Sequence, residues 1–352
     1  FTSFFLIIIY ENFQGLDQIS YFNFVINNTK DIIHFGNLDK LIDFNSPTVN
    51  FLLPLKIVNF IFNDSWFMQK LFQNLLYFGT IIFLLKTLSI LDERLKDNIL
   101  TLYLLSFVPS LFLFSSLITK DLIILFILSG CFYTLFKVKK FDTKTVTFIL
   151  ITSIGIFYIY LLRYWISVAI LISVFLYVFL KFLKLINIKN RYSLCIISIL
   201  FFIFCLFYSS FFNDISFKIY TEIFERIKVE HFFPEQSYDK LFLNSGTRLE
   251  VLFLYPEALF KTLFNPFLDK IEKPSLFLFS IENLIIFFLL ILGIQNFKKI
   301  NDETLVIFIF ILMVSHMYLP IGYLNSGTTL RYAIQTKIFL LLILIYLNSN
   351  LL

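Results

Sequence analysis

The sequence predicts an all-α, polytopic integral membrane protein with about ten transmembrane helices and two long loops on one face. Composition is the first reason: 59% of the 352 residues are hydrophobic and 15% are charged, with a mean hydropathy of +0.84. A soluble domain of this size would need far more polar surface to cover it. Length is the second, because apolar runs of about 20 residues, enough to cross a hydrocarbon core, recur along the chain. The third is that Lys and Arg collect in the short connections between those runs.

Taken in order, the chain begins within the apolar run Phe4 to Tyr10. That run is too short to cross a bilayer and reads as the end of a first span whose start precedes this sequence, or else as a re-entrant piece. The stretch 48–63, with Pro54 and Lys56, is also short; it is expected in the interface or as a re-entrant element. Spans are expected near 71–91, 98–118, 121–137, 145–162, 164–183, 193–212, 276–296, 304–320 and 335–352.

Orientation follows from three connections. Lys137, Lys139, Lys140 and Lys144 fill one, Lys181, Lys184, Lys189 and Arg191 another, and Lys298 and Lys299 a third. Counting spans puts all three on one side, which the positive-inside rule makes the cytoplasmic face of a bacterial inner membrane. The loops 11–70 and 213–275, and the turns 118–121, 162–165 and 321–334, then face outward, towards the periplasm or exterior. The whole of 1–352 is one membrane domain with no soluble module.

Several function classes drop out. The net charge of +5 sits in short loops, so it sets topology and does not point to nucleic acid. Cys131, Cys195 and Cys205 lie inside apolar runs and read as core, and His34, His231 and His316 lack ligand spacing. No metal or other cofactor is therefore expected. No phosphate-binding loop, dinucleotide fingerprint or nucleophile elbow appears, which disfavours ATP-driven transport and soluble-type hydrolysis. The abundance of Phe, Ile, Asn and Lys reflects codon bias of an AT-rich genome.

The candidate site residues are the charges that this threading brings to the outer face: Asp17, Lys120, Asp121, Arg163, Arg248, Glu250 and Arg331. Ionisable groups near membrane spans are costly, so a one-sided set of them marks a functional site. Asp17, in Gly15-Leu16-Asp17-Gln18, follows the first span and precedes a helix start. It can cap that helix, act as a general base at the membrane surface, or both. Lys120-Asp121 stands where a helix begins its return, and suits either a phosphate or a snorkelling turn. Arg163, between Tyr160 and Trp165, is an arginine on a face that otherwise takes little of the short-loop positive charge; its guanidinium fits a phosphate through paired hydrogen bonds. Arg248 and Glu250 close the long loop. Phe260, Phe264 and Phe267 are spaced for a short interfacial helix that roofs a groove or simply packs there. Arg331 ends the motif Asn325-Ser-Gly-Thr-Thr-Leu-Arg331, an echo of Asn244-Ser-Gly-Thr-Arg248 in which a glycine turn again precedes an arginine.

With these motifs in place, the chain resembles the GT-C class of polytopic glycosyltransferases, particularly bacterial members related to protein mannosyltransferases and the aminoarabinose transferase. The likeness rests on Gly15-Leu16-Asp17 with Tyr21, on Pro109 to Asp121, on Arg163-Tyr164, on Pro256 to Phe267 and on Asn325 to Arg331. The resemblance implies a sugar donor carried on polyprenyl phosphate and a glycan or glycolipid acceptor, met at the outer leaflet during assembly of envelope polysaccharide. It implies Asp17 as base, with Lys120, Arg163, Arg248 and Arg331 neutralising the departing lipid phosphate. Asp17-Gln18 stands where the better-known members have a paired acidic dipeptide, a departure that argues against a metal-assisted mechanism. An O-antigen-type polymerase or ligase and a lipid or glycan flippase are the alternative readings.

Overall fold

The computed structural model describes residues 47–62, 65–117, 119–138, 143–185, 259–264, 274–318 and 326–351. Every regular element among them is helical, as expected. The main helices are α1 (Pro47–Phe62), α2 (Trp66–Leu91), α3 (Ile99–Ser106), α4 (Pro109–Ser116), α5 (Lys120–Lys137), α6 (Thr143–Leu185), α7 (Pro274–Ile294), α8 (Asp302–Met317) and α9 (Ser326–Leu347). They divide into two compact units. One takes in the described parts of 1–171, 284–299 and 338–352; the other takes in those of 172–283 and 300–337.

Three helices among the described residues are long and apolar enough to cross a membrane, or four if α4 and α5 are counted as one bent span. The expected span at 193–212 lies outside the described residues. So does most of the loops 11–70 and 213–275.

The end of the first of those loops needs correcting. Residues 47–62 form a short helix where a short element was expected at 48–63, but α2 starts at Trp66 rather than near 71. The reason is a helix cap: Ser65 takes an extended conformation and its hydroxyl accepts from the Met68 amide at 3.3 Å. The first turns of α2 carry Gln69 and Lys70, and hydropathy alone leaves them in the loop. In fact α2 is inside out. Leu71, Leu75, Phe78 and Ile82 line its exposed face, while Gln69, Lys70, Gln73 and Asn74 are buried. That is the pattern of a helix whose outer solvent is hydrocarbon.

Proline explains two local features. Pro54 sits inside α1, has no N–H and leaves the carbonyl of Asn50, four residues back, without its helical donor. The Tyr158 hydroxyl of α6 donates to that carbonyl at 2.9 Å. The expected span 98–118 is broken into α3 and α4, with Pro109 opening the second piece. Here the Tyr77 hydroxyl of α2 donates to the exposed carbonyl of Ser106. In both cases a tyrosine replaces the backbone donor, as a low-dielectric surrounding requires.

Between α4 and α5 the chain bends by 116°. α6 contains the next reversal. Arg163 has φ −156° and ψ 88°, so two helical limbs meet there. The Ser167 hydroxyl donates to the Ile156 carbonyl at 3.1 Å. In a straight helix eleven residues cover about 16 Å. The limbs 143–162 and 164–185 therefore double back at Arg163, where the sequence called for a turn between two spans.

The packing of α5 fixes the register of the first unit. A Cβ on Gly79 would lie 2.5 Å from Phe126, a Cβ on Gly130 would lie 3.4 Å from Phe83, and Lys86 stands 5.6 Å over the Tyr133 ring. All three pairs differ by 47 in residue number, so α2 and α5 run parallel and Asn74 is level with Asp121. On the other flank, a Cβ on Gly155 would lie 2.7 Å from Ile127, and the Thr134 and Thr152 hydroxyls are 2.9 Å apart. The first limb of α6 is thus antiparallel to α5, and Arg163 returns to the level of Asp121.

At the opposite end of this unit, Lys137 closes α5 level with the end of α2. Lys299 donates to the Leu347 carbonyl at 3.2 Å, and Arg94 reaches Asn350 at 3.4 Å. Lys137 and the Lys298–Lys299 pair, drawn from two of the three basic connections, so share one end. In the second unit, Lys181 of the remaining basic connection is 2.8 Å from Glu303 at the start of α8.

Candidate functional site

The site builds from the N-terminus of α5. Thr119 is extended and precedes the helix without lending its side chain as a cap, and Lys120 and Asp121 form the first turn. A carboxylate is favoured there because the first amides of a helix present positive partial charge. Asp121 is fully buried, and its Oδ1 lies 2.5 Å from Nη2 of Arg163, which is also fully buried. Arg163 in turn ends the first limb of α6, where helix carbonyls favour a cation. Both helix ends therefore assist the pair, in surroundings where neither charge would be tolerated alone.

Polar groups of α1 and α2 lie at the same end. The Asn50 amide donates to the Leu161 carbonyl at 3.2 Å, and Gln69 donates to Asn59 at 3.3 Å, so α1 bridges from the α6 reversal to the start of α2. Lys56 on α1 and Lys70 on α2 are buried. Several polar atoms have no hydrogen-bond partner: both ends of the Gln73 amide, Oε1 of Gln69, Oδ1 of Asn74 and the Thr119 hydroxyl. A patch of buried cations, one carboxylate and unsatisfied amides is what an anionic, hydrogen-bonding ligand would complete.

Of the expected site residues, the structure brings together Asp121 and Arg163, with Lys120 half-buried beside them. Asp121 meets Arg163 of α6 rather than serving only its own turn. Arg331 is half-buried on α9 in the second unit. Asp17, Arg248 and Glu250 lie outside the described residues. Lys70, Gln69, Gln73 and Asn74 were missed. The signal for them was present: two i, i+4 polar pairs following a Ser cap, opposite an i, i+4, i+7 apolar stripe.

The second unit holds its own buried charge. Lys337, mid-way along α9, donates to Oδ1 of Asn283 at 2.7 Å, and the Asn283 amide donates to the Phe264 carbonyl at 2.7 Å. Glu282 is buried next to Asn283, and its charge acts on Lys337. The Tyr318 hydroxyl donates to Gln335 at 2.9 Å. The Phe260 and Phe264 rings meet at a tilt within the short helix 259–264, with centroids 4.9 Å apart. This chain of bonds ties that helix to α7 and α9.

Among the described residues, no group of three or more His, Cys, Asp or Glu could hold a metal ion. Cys131 is buried in α5, as a core residue. No protein family, curated protein or solved structure matches the chain.

Proposed function

We propose that the chain is a glycosyltransferase of the inner membrane, with about ten spans, that moves a sugar from a polyprenyl-phosphate donor to an envelope polysaccharide or glycolipid acceptor at the outer leaflet. The observation that carries this reading is the buried Arg163–Asp121 pair, with Lys70 nearby in level, at the end of the helices opposite Lys137 and Lys299. Lysine-rich turns mark the cytoplasmic side, so the buried pair belongs to the outer one.

The chemistry runs as follows. Asp17 takes the proton of an acceptor hydroxyl as that oxygen attacks the anomeric carbon. The bond between the anomeric carbon and the phosphate oxygen breaks, and lipid phosphate leaves with the electron pair. Arg163 and Lys120 neutralise the phosphate as its charge grows. Asp121 holds the Arg163 guanidinium in position.

The test is release of lipid phosphate from polyprenyl-phosphate sugars by the purified protein in nanodiscs. Monophosphate release that is lost in Asp17→Asn supports the transferase. Release of diphosphate with lengthening chains would instead identify a polymerase. Full activity in Asp17→Asn sinks the assignment of the base.

A second reading has support of its own. The breaks at 107–108 and 117–119, and the buried Lys70 and Lys337, fit a flippase for the same class of anionic glycolipid, since transporters use discontinuous helices and internal charges. Transfer of labelled lipid between leaflets without phosphate release would favour it.

A further inference from the structure

We propose that the Gln69–Gln73–Asn74 face of α2 binds the hydroxyl groups of the lipid-linked sugar, beside the Arg163–Asp121 pair that takes its phosphate. This rests on the lipid-phosphosugar reading above.

Gln73 is fully buried, yet neither its carbonyl nor its amide nitrogen has a partner. One turn earlier, Gln69 donates to Asn59 and leaves Oε1 unmet; next to Gln73, Asn74 donates to the Lys70 carbonyl at 3.0 Å and leaves Oδ1 unmet. Leaving such groups dry is unfavourable, and native proteins rarely do so without a ligand or water. The vacant positions comprise three acceptors and one two-proton donor. Hydroxyl groups, which both donate and accept, match that set, whereas a bare phosphate offers acceptors alone. Exchanging O and N of the Gln73 amide would not alter the match.

Position supports the same assignment. The 47-residue register puts Gln73 level with Lys120 and Asn74 level with Asp121. Gln69 lies about 6 Å further along α2, by the 1.5 Å rise per residue. α2 and α5 are neighbours at contact distance. A phosphate held by Arg163 therefore has these amides at its own end of the unit, spread along the α2 axis, for the group it carries. The Thr119 hydroxyl, also without a partner, lies within this level. The buried Lys337 cluster shows no comparable set of unmet groups, because both ends of its Asn283 amide are bonded.

The test compares two probes in nanodiscs: a short-chain polyprenyl phosphate and the same lipid phosphate bearing a hexose. The wild-type protein should bind the hexose-bearing lipid about tenfold more tightly, as two or so added hydrogen bonds would give. Gln73→Met keeps the side-chain length and removes both unmet groups. It should bring the two affinities to within about twofold, leave the bare lipid phosphate unchanged, and raise the thermal midpoint without ligand. A raised midpoint rules out misfolding as the cause. If Gln73→Met keeps the hexose preference, the sugar assignment is overturned and the phosphate site stands. If its only effect is on a soluble alkyl glycoside acceptor, the face serves the acceptor and the proposal is overturned. If the wild-type protein binds neither lipid, both this inference and the reading beneath it fall.

Discussion

Consider removal of one partner from the Arg163–Asp121 pair. Both side chains are fully buried and their nearest atoms are 2.5 Å apart, so neither charge has water to fall back on. Asp121→Leu strands a guanidinium, and Arg163→Met strands a carboxylate at a helix start. Breaking a buried pair in this way costs about 3–5 kcal/mol. Replacing both partners leaves no stranded charge, and such replacements are often neutral or stabilising. The double variant is thus expected to lie within about 1 kcal/mol of wild type, giving a coupling energy close to the sum of the two single losses. The assay is reversible unfolding in mixed micelles by SDS titration, carried out on all four proteins. Added salt should change the single-variant costs little, because buried pairs are weakly screened. Additive costs across the cycle would refute the reasoning, since they would mean that the two groups do not depend on each other.

Four further outcomes are expected. Tyr158→Phe should destabilise by about 1–3 kcal/mol by stranding the Asn50 carbonyl, and Pro54→Ala should rescue much of that loss by restoring the helical donor; unfolding of the two single variants and the double checks it. Gly155→Leu should cost about 1–3 kcal/mol through overpacking against Ile127, read in the same assay. The guanidinium of Arg94 holds the Asp92 carboxyl down at about 2, with further hydrogen bonds from its backbone amide and from Ser349. Because the folded value is depressed, this contribution is present above the ordinary carboxylate value of about 3.9 and fades as pH falls through about 2. Wild type and Asp92→Asn should then differ slightly near neutral pH and converge in strong acid, the gap being small because Arg94 is largely exposed. Asp17→Asn should abolish lipid-phosphate release while the protein still inserts, as shown by release assays together with membrane fractionation.

Much of the helix placement was legible in the sequence. The reversal at Arg163, the break around Lys120 and the shared end of Lys137 and Lys299 all follow from apolar run lengths and the positions of charges. The start of α2 was not, because hydropathy scores Gln69 and Lys70 as surface, whereas in a bilayer polar residues turn inward. Nor was the partner of Asp121. Its meeting with Arg163 depends on where Phe126 rests on Gly79 and Ile127 on Gly155, which are contacts between helices rather than properties of any one of them. The Lys337–Asn283 bond was hidden for the same reason: each residue alone reads as an isolated polar position at the edge of an apolar run.

The inside-out character of α2 also bears on how the protein is made. The polar ridge meets only α1, through Gln69 and Asn59, while its neighbour α5 is still being synthesised. Leu91 leaves the ribosome about 46 residues before Lys137, a delay of about 2–9 s at ordinary elongation rates. During that interval α2 is too polar on one side to be released alone into lipid. The insertion machinery must therefore hold it until α5 arrives and the two enter the bilayer as a pair. Crosslinking of nascent chains stopped before and after Lys137 would show α2 beside that machinery in the shorter chains and beside α5 in the longer.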